Sequence, residues 1–295
     1  MSVAVIGAGG FVGRQVCSEL VAKGVDVLPF SAGKPSGISL ETGLLPVGFT
    51  FPRGVEAVYF LAQSPRYREL PEQSAHLLSV NCVAVAQAAD AARKAGVVKF
   101  IYASTGNVYV PSFSPHAETS PIRRDDWYAL SKVMAEDVLA LYRSYFDVTI
   151  ARMFGVYGPC QVGKLVPIIA DSVRSSREVS VDRNPTDGED LDGLRVSLIY
   201  IDDLSDAMLK LLTTRSCEVM NLAGSEAVSI RRLANALGAV LGIEPRIVVS
   251  NKYRDADLIA DVGMYEKLFG PHKISLEEGV ARCFVAGNAA QENGR

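Results

Sequence analysis

The stretch Ser2-Val3-Ala4-Val5-Ile6-Gly7-Ala8-Gly9-Gly10-Phe11-Val12-Gly13 decides the fold. Five residues of strand character run into a glycine cluster, and an amphipathic stretch over 11–23 follows. Glycines 7, 10 and 13 therefore fall on a strand-to-helix turn. Without a Cβ, Gly7 turns tightly, Gly10 lets a phosphate reach the main chain, and Gly13 lets the helix lie close to the sheet. The free N–H groups at the helix start then face the phosphates, so Gly7, Gly10, Phe11, Val12 and Gly13 read as the phosphate end of a dinucleotide site. The spacing alone carries little; its strand and helix context makes it informative.

Outward from this turn, β-branched runs at 25–30, 55–61, 97–103 and 147–152 alternate with helix candidates at 73–95 and 126–146. That alternation predicts an α/β fold with a doubly wound parallel sheet. Leu130, Val133, Met134, Val138 and Leu141 form an apolar stripe on the 126–146 helix, with Asp125 or Asp126 as its cap. Tyr128 and Lys132 point away from that stripe.

After Tyr157-Gly158-Pro159 the rhythm loosens into a helix at 163–175, a polar loop at 182–193, a strand at 195–201, helices at 203–213 and 229–241, and an amphipathic segment at 275–284. No Pro/Gly/Ser-rich linker divides the chain, so two interleaved lobes are expected. Residues 1–153 with 194–213 form the nucleotide-binding domain, 154–193 with 214–285 a smaller substrate lobe, and 286–295 a disordered tail.

The 295 residues are 48% hydrophobic and 21% charged, ordinary values for a folded globular chain. With 30 basic and 33 acidic side chains the net charge is −3, which offers no global field for nucleic acid or an anionic membrane. The nearest cysteines, Cys160 and Cys217, are 57 positions apart, which excludes CxxC metal or redox spacing and favours a reducing compartment. His76, His116 and His272 have no metal spacing, and no metal is expected. The apolar run at 3–6 ends too soon for a signal peptide, so a cytoplasmic location is expected.

The second strand ends Leu28-Pro29-Phe30-Ser31, without the acid that usually takes the adenosine ribose hydroxyls of NAD. Ser31 and Lys34 stand where a 2′-phosphate would otherwise meet a carboxylate, so NADP is favoured over NAD. Lys34 also reads as a merely solvated residue of a Gly/Pro/Ser-rich loop.

The strand at 97–103 leads into Ser104-Thr105-Gly106, bringing hydroxyls to a C-terminal strand edge, where open α/β sheets bind ligands. Tyr128-Ala129-Leu130-Ser131-Lys132 sets a phenol and an ammonium one helical turn apart. Nucleotide turn, strand-end hydroxyl and Tyr/Lys pair are the parts that move a hydride to or from a carbonyl. A phenol with pKa near 10 is a poor base, and lowering it to about 7 requires roughly 4 kcal/mol, which the Lys132 ammonium and a ribose hydroxyl together would supply. Tyr128 would exchange the proton with the substrate oxygen while Thr105 holds that oxygen.

These motifs together resemble the extended short-chain dehydrogenase/reductase family of nucleotide-sugar epimerases, dehydratases and reductases, with its Rossmann-type sheet. The resemblance spans nearly the whole chain. It takes in Val58-Tyr59-Phe60-Leu61-Ala62, Asn81, Arg152-Met153-Phe154-Gly155-Val156-Tyr157-Gly158-Pro159, the segment Arg195 to Asp203, and Asn221 to Gly224. It implies Leu61, Ala62, Asn81 and Phe154 beside the cofactor, and Arg195 with Arg254 on a nucleotide-sugar diphosphate. It also implies a homodimer pairing the helices at 73–95 and 126–146, with Ala84, Ala88, Ala91 and Ala92 allowing close approach.

The sequence departs from the family pattern in three places. Gly106-Asn107 follow Thr105 where dehydratases carry Asp-Glu, so dehydration is not expected. Phe154-Gly155 replaces Phe-Asn, and residues 37–54 are short for the usual strand-helix pair. The expected activity is thus a 4-keto-sugar reductase or a C4 epimerase. Reduction of a non-sugar ketone and a catalytically silent cofactor-binding regulator stay open as alternatives.

Overall fold

The computed structural model describes residues 1–284 apart from Ser216. The tail expected at 286–295 lies outside them. In chain order come β1 (Ser2–Ile6), α1 (Phe11–Ala22), β2 (Asp26–Phe30), β3 (Val55–Phe60), α2 (Ser74–Leu78), α3 (Ala84–Ala95), β4 (Lys99–Thr105), α4 (Trp127–Ala140) and β5 (Asp147–Met153). Then follow β6 (Gly155–Tyr157), α5 (Leu165–Arg174), β7 (Val179–Arg183), β8 (Arg195–Tyr200), α6 (Ile201–Thr213), β9 (Val219–Leu222), β10 (Ala227–Ser229), α7 (Ile230–Leu241), β11 (Ile247–Tyr253), α8 (Gly263–Phe269) and α9 (Leu276–Phe284).

The chain forms two units: residues 1–110, 118–153 and 205–221, and residues 111–117, 154–204 and 222 onward. In the first, a six-stranded sheet runs in the order β2-β1-β3-β4-β5-β9. The pairs from β2 through β5 are parallel. The order reverses between β1 and β3, which makes the sheet doubly wound and sets a ligand crevice at the carboxyl ends of those two strands. Its central strands are buried on both faces, as the unbroken apolar runs at Val3–Ile6 and Ala57–Phe60 require. Ala84, Ala88, Ala89 and Ala92 of α3 pack with Val58, Phe60, Phe100 and Tyr102 in the core.

Residues 31–54, short in the sequence, hold no strand or helix, so β2 is the edge of the sheet. Phe30, Phe49 and Phe51 gather there edge to face, with ring centroids 5.0 to 5.8 Å apart.

The second unit holds a three-stranded sheet, β10-β8-β6, and a parallel pair, β11-β7. The expected domain boundaries need correction here. β8 was expected in the nucleotide-binding domain, yet it pairs with β6 and β10, and β9 takes the sixth place in the main sheet. β8 is buried on both faces from Val196 to Tyr200, the same signal a central strand of the large sheet gives, so periodicity does not tell the two apart.

Two helices also differ from expectation. The single helix expected at 73–95 is interrupted at Ser79–Val83 by a wider turn of the π type, with Asn81 at its centre. In α4, which ends at Ala140, the buried face is Ala129, Lys132, Val133, Glu136 and Leu139, whereas Met134 and Leu141 of the expected apolar stripe are exposed. Lys132 therefore lies on the docked face rather than away from it. Asp126 provides the cap, accepting from Ala129 N–H at 2.8 Å. Among the described residues no helix is long and apolar enough to cross a membrane.

Candidate active site

Gly7 adopts φ +91°, and a Cβ there would lie 2.6 Å from the Ala62 nitrogen. A Cβ on Gly13 would run into the Gly7 carbonyl oxygen. Both glycines are thus forced by close approach of the turn to α1 and to the Leu61–Ala62 segment, which Leu61 N–H ties to the Ile6 carbonyl at 2.8 Å. A Cβ on Gly10 would meet only the Gly7 oxygen, at 3.2 Å. No side chain caps the N-terminus of α1 and its first turn has no acidic residue. Open main chain over Gly10 and an uncapped helix start suit a dinucleotide pyrophosphate, with Phe11 and Val12 supplying N–H groups.

At the end of β2, a Cβ on Gly9 would sit 3.2 Å from Ser31 Oγ, so Ser31 borders the glycine turn. Lys34 is exposed in a turn closed by its own N–H to the Ser31 carbonyl at 3.2 Å. Residues 31–40 contain no carboxylate.

Asn81 is fully buried, and both ends of its amide are committed to the protein. Its oxygen accepts from Ser64 N–H at 3.2 Å and its nitrogen donates to Ser131 Oγ at 3.0 Å. It fastens the segment after β3 to α4, so its side chain acts here as a structural clamp.

Thr105 closes β4 and Tyr128 opens α4. The Tyr128 hydroxyl donates to Gln63 Oε1 at 2.9 Å, and its ring lies 5.8 Å from that of Tyr67. Burial holds the phenol well above its ordinary range, and only a hydrogen bond with Thr105 acts the other way. Lys132 Nζ donates to the Ala103 carbonyl at 2.9 Å and stands 5.0 Å over the Tyr102 ring. Burial lowers Lys132 to about 7, against the opposing pull of Glu136. The expectation that Lys132 makes Tyr128 acidic therefore does not hold in the protein alone, because the ammonium is directed to β4 and is itself desolvated. Thr105, Tyr128 and Lys132 nevertheless converge on the carboxyl end of β4, where an open α/β sheet takes its ligand.

Several participants escape sequence reasoning. Gln63, directly after the Leu61–Ala62 segment, accepts the Tyr128 hydrogen bond, and its position just past the end of β3 was the available signal. Beneath Lys132, Glu136 accepts from Ser104 Oγ and from Arg152 Nη2 at 2.6 Å and Nε at 3.2 Å. Arg152 also donates to Tyr109 Oη at 3.1 Å and to the Glu118 carbonyl at 3.1 Å. This buried pair stiffens the junction of β4, α4 and β5. The i, i+4 spacing of Lys132 and Glu136 was its only trace in the sequence.

Phe154, Arg195 and Arg254 belong to the second unit. Phe154 is buried and donates its N–H to the Leu222 carbonyl at 3.1 Å. Arg254 is buried, donating from Nε to Asp257 Oδ1 at 2.9 Å and from Nη2 to Asp190 Oδ2 at 2.6 Å. Arg195 Nη1 also donates to Asp190 Oδ2. The structure thus brings the two arginines together, but on carboxylates of the chain itself.

Residues 3–223 match the model of the NAD-dependent epimerase/dehydratase family. A dTDP-4-dehydro-6-deoxy-D-allose reductase from a Streptomyces species is 28% identical, covering 83% of each chain. A UDP-glucose 4-epimerase from Mycolicibacterium smegmatis is 26% identical, covering 71% of this chain and 72% of its own. A Bacillus cereus UDP-glucuronic acid 4-epimerase, solved with UDP-glucuronic acid and NAD, superposes with a TM-score of 0.79 at 22% identity, over 98% of this chain and 100% of that one. With its glycine turn, its doubly wound sheet and a family match over most of its length, the chain belongs to the NAD-dependent epimerase/dehydratase family.

Proposed function

We propose that this chain is a nicotinamide-dependent oxidoreductase acting on a nucleotide-activated sugar, as a 4-keto-sugar reductase or a C4 epimerase. The observation that carries the reading is the buried Tyr128 phenol at the start of α4, beside Thr105 at the carboxyl end of β4 and followed one turn later by Lys132, whose ammonium also lies at that strand end. The similarity to a sugar-nucleotide reductase and to sugar epimerases supports it.

Gly7, Gly10, Phe11, Val12 and Gly13 would hold the pyrophosphate, Leu61 and Ala62 would line the crevice, and Lys132 would turn from the Ala103 carbonyl to the ribose hydroxyls. Asn81 would support the cofactor from behind by holding the segment after β3 to α4. The bound nicotinamide delivers or accepts the hydride. Tyr128 exchanges the proton with the sugar oxygen at C4, and Thr105 donates a hydrogen bond that fixes that oxygen. A phenol held high keeps its proton at neutral pH but is a weak acid, so the transfer needs Lys132, turned towards the site, to stabilise the phenolate. Dehydration forms no part of this proposal, because Gly106 and Asn107 provide no carboxyl beside Thr105.

NADP is the preferred cofactor in this reading, since Ser31 and Lys34 meet no carboxylate over 31–40. Arg195 and Arg254 take the diphosphate of the substrate. The protein works as a cytoplasmic homodimer. Ala84, Ala88, Ala91 and Ala92, expected at the dimer contact, are already buried inside the chain, so a contact through these helices would have to use their exposed Val83 and Met134.

The test is incubation with NADPH and a 4-keto-6-deoxy sugar nucleotide. Stoichiometric NADPH oxidation selects the reductase; inversion at C4 of a separate sugar nucleotide that carries a C4 hydroxyl, without net cofactor use, selects the epimerase; and the absence of both activities overturns the oxidoreductase reading. NADH in place of NADPH, giving equal or better turnover, overturns the NADP preference.

A further inference from the structure

The two arginines assigned to the diphosphate already hold an anion. Asp190 Oδ2 accepts from Asn184 Nδ2 at 3.2 Å, from Arg254 Nη2 at 2.6 Å and from Arg195 Nη1. Three donors converging on one oxygen, two of them guanidinium groups, is the arrangement that a phosphoryl oxygen seeks. Asp190 is nonetheless a residue of the exposed turn between β7 and β8, and Pro185 to Glu189 before it are all exposed.

That turn is largely held by its own hydrogen bonds. Thr186 N–H donates to Asn184 Oδ1 at 2.9 Å, Glu189 N–H to Asp187 Oδ1 at 3.0 Å, and Asp190 N–H to the Asp187 carbonyl at 3.2 Å. The tip at 185–190 is the part free to swing, because Arg231 Nη2 ties the following Leu191 carbonyl at 2.9 Å. Asp257 is placed differently. Its Oδ1 accepts both Arg195 main-chain N–H at 2.8 Å and Arg254 Nε at 2.9 Å, which locks the arginine to β8. One carboxylate aims the arginines; the other occupies them.

We propose that Asp190 is an internal occupant of the diphosphate subsite, which a nucleoside diphosphate must displace in order to reach Arg195 and Arg254. The inference rests on the reading that these arginines receive the diphosphate. Two guanidinium groups and two carboxylates leave the cluster without net charge, and an entering diphosphate beside Asp190 would set like charges against one another. Burial pushes the Asp190 carboxyl up, but hydrogen bonds from Arg195 and Arg254 outweigh it and hold the group well below the usual carboxylate range, so protonation does not vacate the site at neutral pH. Displacement costs the arginines nothing when phosphoryl oxygens replace the carboxylate. A ligand without the diphosphate cannot make that replacement and leaves Asp190 in place.

Calorimetric titration of the full-length protein with UDP and with dTDP tests this in the parent, Asp190→Asn and Arg195→Met. Asp190→Asn keeps the shape and removes the charge, and is expected to tighten binding about tenfold, while Arg195→Met weakens it about tenfold or more. If Arg195→Met weakens binding and Asp190→Asn does not tighten it, the occupant is overturned and the arginine reading survives. If Arg195→Met binds like the parent, or neither diphosphate binds any of the three proteins, the arginine reading fails and the inference with it. Hydrogen exchange on the unmodified protein gives a second measure that needs no variant to fold. Amides of residues 186–190 should exchange faster at saturating UDP, and unchanged or slower exchange overturns the displacement.

Discussion

The start of α4 and the arginine cluster of the second unit both bind cationic side chains to acceptors of the chain itself, and they do so in opposite ways. Lys132 donates to a neutral carbonyl, and burial lowers its proton affinity to about 7. Arg195 and Arg254 meet carboxylates, which keep them charged and use up their hydrogen-bonding capacity. The first arrangement leaves a group whose protonation a ligand can shift, the second one whose partner a ligand must replace. Proton chemistry belongs to the first kind of site and anion exchange to the second.

The comparison breaks first at Tyr128. In Tyr128→Phe, turnover with a sugar-nucleotide substrate should fall about a thousandfold while NADPH affinity, measured by fluorescence titration, stays within about twofold. Retained turnover would remove α4 from the chemistry.

The next largest effect concerns the buried pair under Lys132. Arg152→Met leaves Glu136 without its cation and should cost about 3 kcal/mol or more in urea denaturation. A loss below about 1 kcal/mol would mean that the pair contributes little beyond what surface pairs do.

Lys132 sharpens the contrast through pH. Its folded value, about 7, lies below the ordinary 10.5, so between these limits the folded protein binds fewer protons than the unfolded chain. Stability contributed by the neutral amine is complete above 10.5 and is lost as pH falls towards 7. Lys132→Met escapes that loss, so its stability relative to the parent should improve by roughly 2 kcal/mol between about pH 10 and pH 7 in paired thermal melts. A pH-independent difference would contradict the desolvated ammonium.

The smallest expected change is at Gln63. Removing the acceptor in Gln63→Ala frees the Tyr128 hydroxyl and should alter kcat by less than about tenfold, roughly one neutral hydrogen bond. A loss as large as that of Tyr128→Phe would make Gln63 part of the proton path.

The glycine turn, β1 and the parallel character of the sheet were legible because their signals are local: Gly13 is forced by the Gly7 carbonyl six positions before it, and buried strands read as unbroken apolar runs. The wide turn at Ser79–Val83 was not, since Asn81 is held there by Ser64 and Ser131, residues 17 and 50 positions distant. The docked face of α4 was misread for a related reason. A lysine and a glutamate lie inward because the Ala103 carbonyl and Arg152 receive them, while Met134 and Leu141 lie outward. Hydrophobic periodicity carries no knowledge of such partners. Arg195 and Arg254 were found as residue types, but Asp190 sat in a stretch that read only as polar loop.

The shortened segment after β2 carries a consequence for solubility. A sheet that stops early presents an open rim of amide groups, onto which another molecule's strand can add. Here that rim includes Pro29, opposite Val5, whose ring has no N–H to offer. Beside it, Phe49 and Phe51 fold back over Phe30. The short connection thus leaves a boundary that discourages fibrillar growth, and replacing Pro29 with a β-branched residue would restore the missing donor on a margin where nothing else in the sheet would use it.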